Sequence, residues 1–99
     1  MRKTKMIVTK TAAELAETLG FSPAEGAEIE LRSELNSKII EVMKKKGLTH
    51  VQVAKLAGAS RTRVTAIMNR NTKDISTDFM LRILGALGYT TKVTFQKAA

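Results

Sequence analysis

Apolar side chains recur every three or four residues along most of this 99-residue chain, which is the spacing of amphipathic helices. The longest stripe consists of Leu31, Leu35, Ile39, Val42 and Met43. Shorter stripes follow at Val53, Ala57, Val64, Ile67 and Met68, and then at Met80, Ile83, Leu84 and Leu87. We interpret these residues as core, because each stripe gives its helix one face to bury.

Capping residues divide the stripes into separate helices. Five hydroxyl residues stand where they can cap a helix N-terminus: Thr11, Ser22, Thr49, Ser60 and Ser76. Glu14 and Glu25 complete capping boxes with the first two of them. Helix-ending glycines stand at the opposite ends: Gly20, Gly47, Gly58 and Gly88. The sequence therefore predicts a helix from Thr11 to Leu19, one long helix or two abutting helices up to Lys46, and three further helices.

The segment 90–96 alternates with period two and is rich in β-branched residues, which predicts a strand. Because the chain offers it no partner strand, we expect it to pair with a second copy through Thr91, Val93 and Phe95. A disordered tail is the alternative. The predicted fold class is all-α: a basic arm over residues 1–10, then one compact five-helix domain over 11–99 that ends in this short C-terminal strand.

Two of the short predicted helices lie almost end to end between Thr49 and Asn69, with Gly58 in the turn between them. Ala54 is small where the first helix must pass close to the second, so the layout is that of a helix-turn-helix. The second helix directs four side chains outward, and we predict that they face DNA bases: Arg61, Thr62, Thr65 and Ala66. Arginine can bind guanine, and methyl groups can meet the thymine methyl. An ordinary helical hairpin with a solvated polar face is the alternative.

The net charge of +8 is unevenly distributed. Eight basic residues and no acidic residue lie between Val42 and Lys73, a window that contains the two short helices. Such a surface attracts the phosphates of nucleic acid. Between Thr11 and Glu41 there are seven glutamates but only two basic residues, Arg32 and Lys38. The sequence therefore combines a basic surface with an acidic arm.

No catalytic or cofactor-binding constellation can be assembled from this sequence, so we expect neither an enzyme nor a cofactor. The chain has no cysteine, and its one histidine, His50, suits a phosphate or base contact better than catalysis. Asp74 and Asp78 are weak evidence of a metal site and are expected to stabilise a helix N-terminus instead. We expect a cytoplasmic, nucleoid-associated protein with no membrane span.

From about Glu14 to Phe95 the sequence resembles the Xre class of phage Cro- and lambda-repressor-like helix-turn-helix proteins, and within it the HigA-like antitoxin branch. The residues that carry the resemblance are Gly47, Leu48, Thr49, Ala54, Gly58, Ser60, Val64, Ile67, Asn69 and the segment 84–88. Two positions depart from the family pattern: His50 replaces the usual glutamine, and Arg70 replaces a frequent glycine.

The resemblance implies a homodimer that binds a palindromic operator in double-stranded DNA and represses its own operon. It implies phosphate contacts from His50 and Ser60, a return of Asn69 to the DNA backbone, and the base-facing set given above. The other phosphate contacts that we predict are Thr49, Arg63, Arg70, Lys45 and Lys46.

The antitoxin branch partners basic RNase toxins of the RelE/HigB-like type, and an acidic arm is suited to cover a cationic surface. The residues predicted to bind such a toxin are Glu14, Glu17, Phe21, Glu25 and Glu28. The alternative is a free-standing phage-type regulator with no toxin partner, in which the N-terminal helices only complete the core.

Overall fold

A computed structural model describes residues 19–20 and 22–97, which form four helices. They are α1 (Pro23–Lys46), α2 (His50–Ala57), α3 (Arg61–Met68) and α4 (Thr77–Ala86). Residues 1–34 and 35–99 are two separate compact units, and the boundary falls within α1. None of the four helices is long and apolar enough to cross a membrane.

Hydroxyl side chains begin the helices at the positions that the sequence predicts. The Ser22 amide donates to Glu25 Oε1 at 2.8 Å, and the Glu25 amide donates to Ser22 Oγ at 3.1 Å, which confirms the capping box at α1. The bond that the Ser22 amide donates to the carboxylate favours its ionised form, and the Ser22 side chain acts in the same direction, so the pKa of Glu25 is lowered. The caps predicted at Thr49, Ser60 and Ser76 are confirmed as well. Local chemistry thus sets where each helix starts.

All four helices end in the same Schellman turn, in which a left-handed residue donates to a carbonyl three residues back. Gly47, Gly58 and Gly88 occupy this position after α1, α2 and α4, with φ of 63°, 63° and 92°. After α3 the position belongs to Arg70, at φ 57°. Its amide donates to the Ile67 carbonyl at 3.0 Å, and the Asn71 amide donates to the Ala66 carbonyl at 2.8 Å. One of the four helices therefore ends without a glycine in the left-handed position.

The predicted apolar stripes form the core of the unit 35–99. Their buried members are Leu35, Ile39, Val42, Met43, Val53, Val64, Ile67, Met80, Ile83, Leu84 and Leu87. Leu31, Ala57 and Met68 are only half-buried. Ile75 and Phe79 are buried too, and Asn36 is the one buried polar residue in the described part of the chain. Because α2 packs against both α3 and α4, the core fixes the relative positions of these short helices.

The prediction of five helices and a C-terminal strand is wrong. Residues 19–20 and 22–97 contain four helices and no strand. Of the two alternatives predicted up to Lys46, the structure has the single long helix. The helix predicted from Thr11 and the boundary of the basic arm at residue 10 lie outside the described residues.

The segment that follows α4 has the alternating pattern of a strand but lacks what a strand requires. Residues 90–97 have neither helix nor strand geometry, and within residues 19–20 and 22–97 no other segment pairs with them as a strand. Thr91 is half-buried, Val93 is 57% exposed and Phe95 is 93% exposed. The prediction that these three residues form a dimer interface depended on a strand, and the structure has no strand in this segment.

Candidate nucleic-acid interface

Helices α2 and α3 are joined by a turn of three residues. Gly58, at φ 63°, reverses the chain after α2, and the Ala59 amide donates to the Ala54 carbonyl at 2.9 Å. A Cβ at Gly58 would meet no atom within 4 Å, so backbone conformation rather than space calls for glycine here. Val53 of α2 and Val64 of α3 are fully buried. The predicted helix-turn-helix layout is thus present.

The four residues predicted to face bases all lie on α3. Arg61 and Thr62 are exposed, whereas Thr65 and Ala66 are half-buried. Val64 and Ile67 occupy the opposite, fully buried side of the helix. The arrangement leaves one polar face of α3 available to a ligand while its apolar face anchors it.

Thr65 is held by a side chain of α2. Its Oγ1 lies 2.8 Å from Nδ1 of His50, and the two atoms share a hydrogen bond. A threonine in a helix divides between two χ1 rotamers, so this bond selects one of them and fixes the direction of the methyl group. His50, predicted as a phosphate contact, therefore also orients a residue of the predicted base-facing set.

A shallow surface concavity of about 440 Å³ lies at the start of α2. It is lined by Leu48, Thr49, His50, Val51 and Arg61. The concavity brings His50 and Thr49, two predicted phosphate contacts, to the same surface as Arg61, a predicted base contact. The hydroxyl of Thr49 is already engaged, because it accepts from the Gln52 amide at 3.1 Å.

Two residues of α1 hold the C-terminal end of α3. The buried Asn36 donates from Nδ2 to the Ile67 carbonyl at 2.8 Å. Arg70, a predicted phosphate contact, donates from Nη1 to Ser37 Oγ at 3.2 Å. Asn36 is a positioning residue that the sequence analysis missed. Its signal is a polar amide inside the apolar stripe, between Leu35 and Ile39.

The remaining predicted phosphate contacts lie at exposed positions. Ser60 caps α3 by accepting from the Arg63 amide at 3.3 Å, and Asn69 is the exposed C-cap of the same helix. Lys45 is exposed in the last turn of α1, whereas Lys46 donates from Nζ to the Leu87 carbonyl at 3.3 Å. Lys46 therefore contributes to ending α4 as well as to the local charge.

Arg63 does not extend freely into solvent. Its guanidinium carbon lies 3.8 Å from the centroid of the Phe79 ring, and that of Arg82 lies 5.2 Å from the same centroid. The ring is nearly buried, but both arginines are exposed. Sequence reasoning did not single out Arg82 or Phe79, because their proximity to Arg63 arises only in the folded chain.

The predicted toxin-binding residues belong to the separate unit 1–34. Glu25 and Glu28 are exposed there, and Glu25 is engaged in its own capping box. Glu14, Glu17 and Phe21 lie outside the described residues. Over residues 19–20 and 22–97, no group of three histidine, aspartate or glutamate side chains is placed to hold a metal ion.

Comparison with known families gives one match. A family model described as a helix-turn-helix domain matches residues 15–96, which is most of the chain. No curated protein and no solved structure matches this chain. Helix-turn-helix domains bind duplex DNA by placing their second helix in the major groove. That function agrees with the exposed polar face of α3 and with the short turn at Gly58. The chain belongs to the helix-turn-helix domain family.

Proposed function

We propose that this chain is a sequence-specific transcriptional repressor of the Xre class, which acts by binding DNA and requires no catalysis or cofactor. The observation that carries the proposal is the division of α3 into two faces. Val64 and Ile67 are fully buried, while Arg61 and Thr62 are exposed on the other side. This face lies in a window of eight basic residues with no acidic one. The ligand that matches such a basic face is a negatively charged one such as duplex DNA.

The major groove of B-DNA, about 12 Å wide, admits one α-helix. In that groove Arg61 can form two bonds to the O6 and N7 atoms of guanine, and the methyl groups of Thr65 and Ala66 can meet the thymine methyl. Exposed lysines outside α3, such as Lys45 in the last turn of α1, add affinity that does not depend on sequence. Specificity and general affinity therefore come from different residues.

Helix α3 has eight residues and is about 12 Å long, so one copy contacts only a few base pairs. We propose that two copies act together on a palindromic operator, with their α3 helices about 34–36 Å apart. A homodimer of this kind doubles the recognised sequence. The proposal does not assign the dimer contact to the segment 90–97, which forms no strand.

Selection from a pool of random duplexes, followed by titration of the selected duplex and a scrambled one at two salt concentrations, tests this function. Arg61→Ala should weaken binding to the selected duplex by about 1–3 kcal/mol, with a smaller loss on the scrambled one, because it removes a base contact. Lys45→Ala, the matched control, should weaken both equally and flatten the salt dependence. A pool that shows no enrichment would refute sequence-specific binding.

A second function, neutralisation of a toxin, is supported by the charge asymmetry of the sequence. A regulator that only binds DNA has no evident need for seven glutamates between Thr11 and Glu41, whose charge repels DNA. We propose that the chain is a HigA-like antitoxin and that the acidic arm covers the RNA-binding surface of a basic RNase toxin. A phage-type regulator without a toxin remains the competing proposal.

Four substitutions to glutamine, at Glu14, Glu17, Glu25 and Glu28, separate the two functions. Glutamine keeps the side-chain acceptor of the capping box at residue 25, so α1 should still form. The variant should lose growth rescue against a co-expressed RelE/HigB-like RNase toxin that the wild-type chain neutralises, and it should keep its DNA affinity. Asp74→Asn, which removes an exposed acidic side chain outside the arm, is the control and should rescue fully. Full rescue by the fourfold variant would argue against a toxin contact at the arm.

A further inference from the structure

One aromatic ring brings together two arginines from different helices. Arg63 lies in the first turn of α3, Arg82 lies in the middle of α4, and the ring belongs to Phe79 in the first turn of α4. The Cζ atoms of the arginines lie 3.8 Å and 5.2 Å from the ring centroid. Because Phe79 is only 3% exposed, the ring itself is a fixed platform.

Stacking on a ring uses the face of a guanidinium and leaves its N–H edges available. Neither Arg63 nor Arg82 donates a side-chain hydrogen bond to any of the described residues. Each guanidinium has five N–H donors arranged in a rigid fork. Each of the two arginines close to this ring therefore keeps an unused fork.

The two positive charges are not neutralised by an acid. Within residues 19–20 and 22–97, neither arginine forms an ion pair with an acidic side chain within 4.0 Å. Asp78 stands one turn before Arg82 on α4, yet it forms no such pair with it. Two neighbouring cations repel each other, and an anion that bridges them removes the repulsion. Forked donors and two positive charges suit a phosphate group, which accepts two parallel bonds from each arginine.

We propose that Arg63 and Arg82, held on the ring of Phe79, form a clamp for one phosphodiester group of duplex DNA. The inference rests on the proposed function, because Arg63 belongs to the helix that enters the groove. A helix in the major groove is flanked by the phosphates of both strands, and a side chain on its flank is placed to meet one of them. The clamp extends the DNA-binding surface from α3 to α4, and it assigns a role to Arg82.

The test measures binding of the full-length chain to a duplex of arbitrary sequence over a series of salt concentrations. Arg82→Gln should reduce the slope of log K against log salt by about 0.9, the value expected for one lost phosphate contact. Arg63→Gln should give a similar change. Arg82→Lys keeps the charge but loses the planar fork, so it should lie between wild type and Arg82→Gln.

Lys92→Gln is the matched control, since it removes one exposed positive charge outside α3 and α4. Its slope should remain close to that of wild type. Equal slopes for Arg82→Gln and Lys92→Gln would overturn the clamp, as would a change in the preference of Arg82→Gln among sequences, because a phosphate contact is blind to sequence. A wild-type chain that binds no duplex at low salt would instead refute the proposed function, and the clamp with it.

Discussion

At the scale of single residues, the left-handed residues that end the four helices are of two kinds. Gly47, Gly58 and Gly88 adopt left-handed backbone without a Cβ, whereas Arg70 adopts it at φ 57° with a full side chain. A side chain in this region costs about 1–2 kcal/mol relative to right-handed backbone. The 3.2 Å bond from Arg70 to Ser37 is exposed and offsets only part of that cost. Arg70 therefore retains strain at the end of the helix that is proposed to bind bases.

Arg70→Gly should raise the free energy of unfolding by about 0.5 kcal/mol, because the strain removed exceeds the entropy that glycine adds to the unfolded chain. Gly58→Ala, at a stop with nearly the same φ, should lower it by about 1 kcal/mol. Urea unfolding of the two variants beside wild type measures both values. If the free energy of unfolding changed with the same sign in both variants, left-handed backbone strain would not determine stability at these helix ends.

The structural features that the sequence predicted best are those that depend on residues adjacent along the chain. The hydroxyl of Ser76 caps a helix that starts at the next residue, and Gly88 ends the same helix, so both were evident from local pattern. The bond between His50 and Thr65 joins residues 15 apart and depends on how α2 packs on α3. The stack of Arg63 on Phe79 likewise requires the folded chain. Helix ends could thus be predicted from the sequence, but contacts between helices could not.

At the scale of elements, α3 depends on its surroundings. An isolated helix of eight residues is too short to be stable in water, because helix nucleation is costly. Val64 and Ile67 anchor its inner face, His50 holds Thr65, and Asn36 holds the carbonyl of Ile67. The element proposed to recognise DNA is therefore positioned by contacts in its middle and near its C-terminal end.

Asn36→Leu should lower the free energy of unfolding by about 0.5–1.5 kcal/mol, the usual net value of one hydrogen bond. The loss stays modest because the Ile67 carbonyl still accepts from the Arg70 amide at 3.0 Å. Amide exchange should also become faster in the last turn of α3. Ser33→Ala, at an exposed position one turn earlier on α1, is the control and should change stability by less than about 0.5 kcal/mol. Unchanged exchange in Asn36→Leu would contradict its positioning role.

At the scale of the whole molecule, the buried residues of the described chain are concentrated before residue 88. The core of the unit 35–99 runs from Leu35 to Leu87, and the segment 90–97 adds no buried side chain to it. An alternating pattern predicted a strand here because pattern alone does not show whether a pairing partner exists. Exposed residues at a terminus contribute little to stability.

Deletion of residues 92–99 should therefore change the free energy of unfolding by less than about 0.5 kcal/mol. The removed part includes Val93 and Phe95, which are 57% and 93% exposed. Deletion from Tyr89 onward is the control and should cost more, because the Tyr89 amide donates to the Leu84 carbonyl at 2.9 Å and its ring lies 5.3 Å from Lys38 Nζ. Sedimentation of both forms should give the same oligomeric state as the full chain. If the shorter deletion alone lost stability or self-association, the tail would have a structural role that its exposure does not reveal.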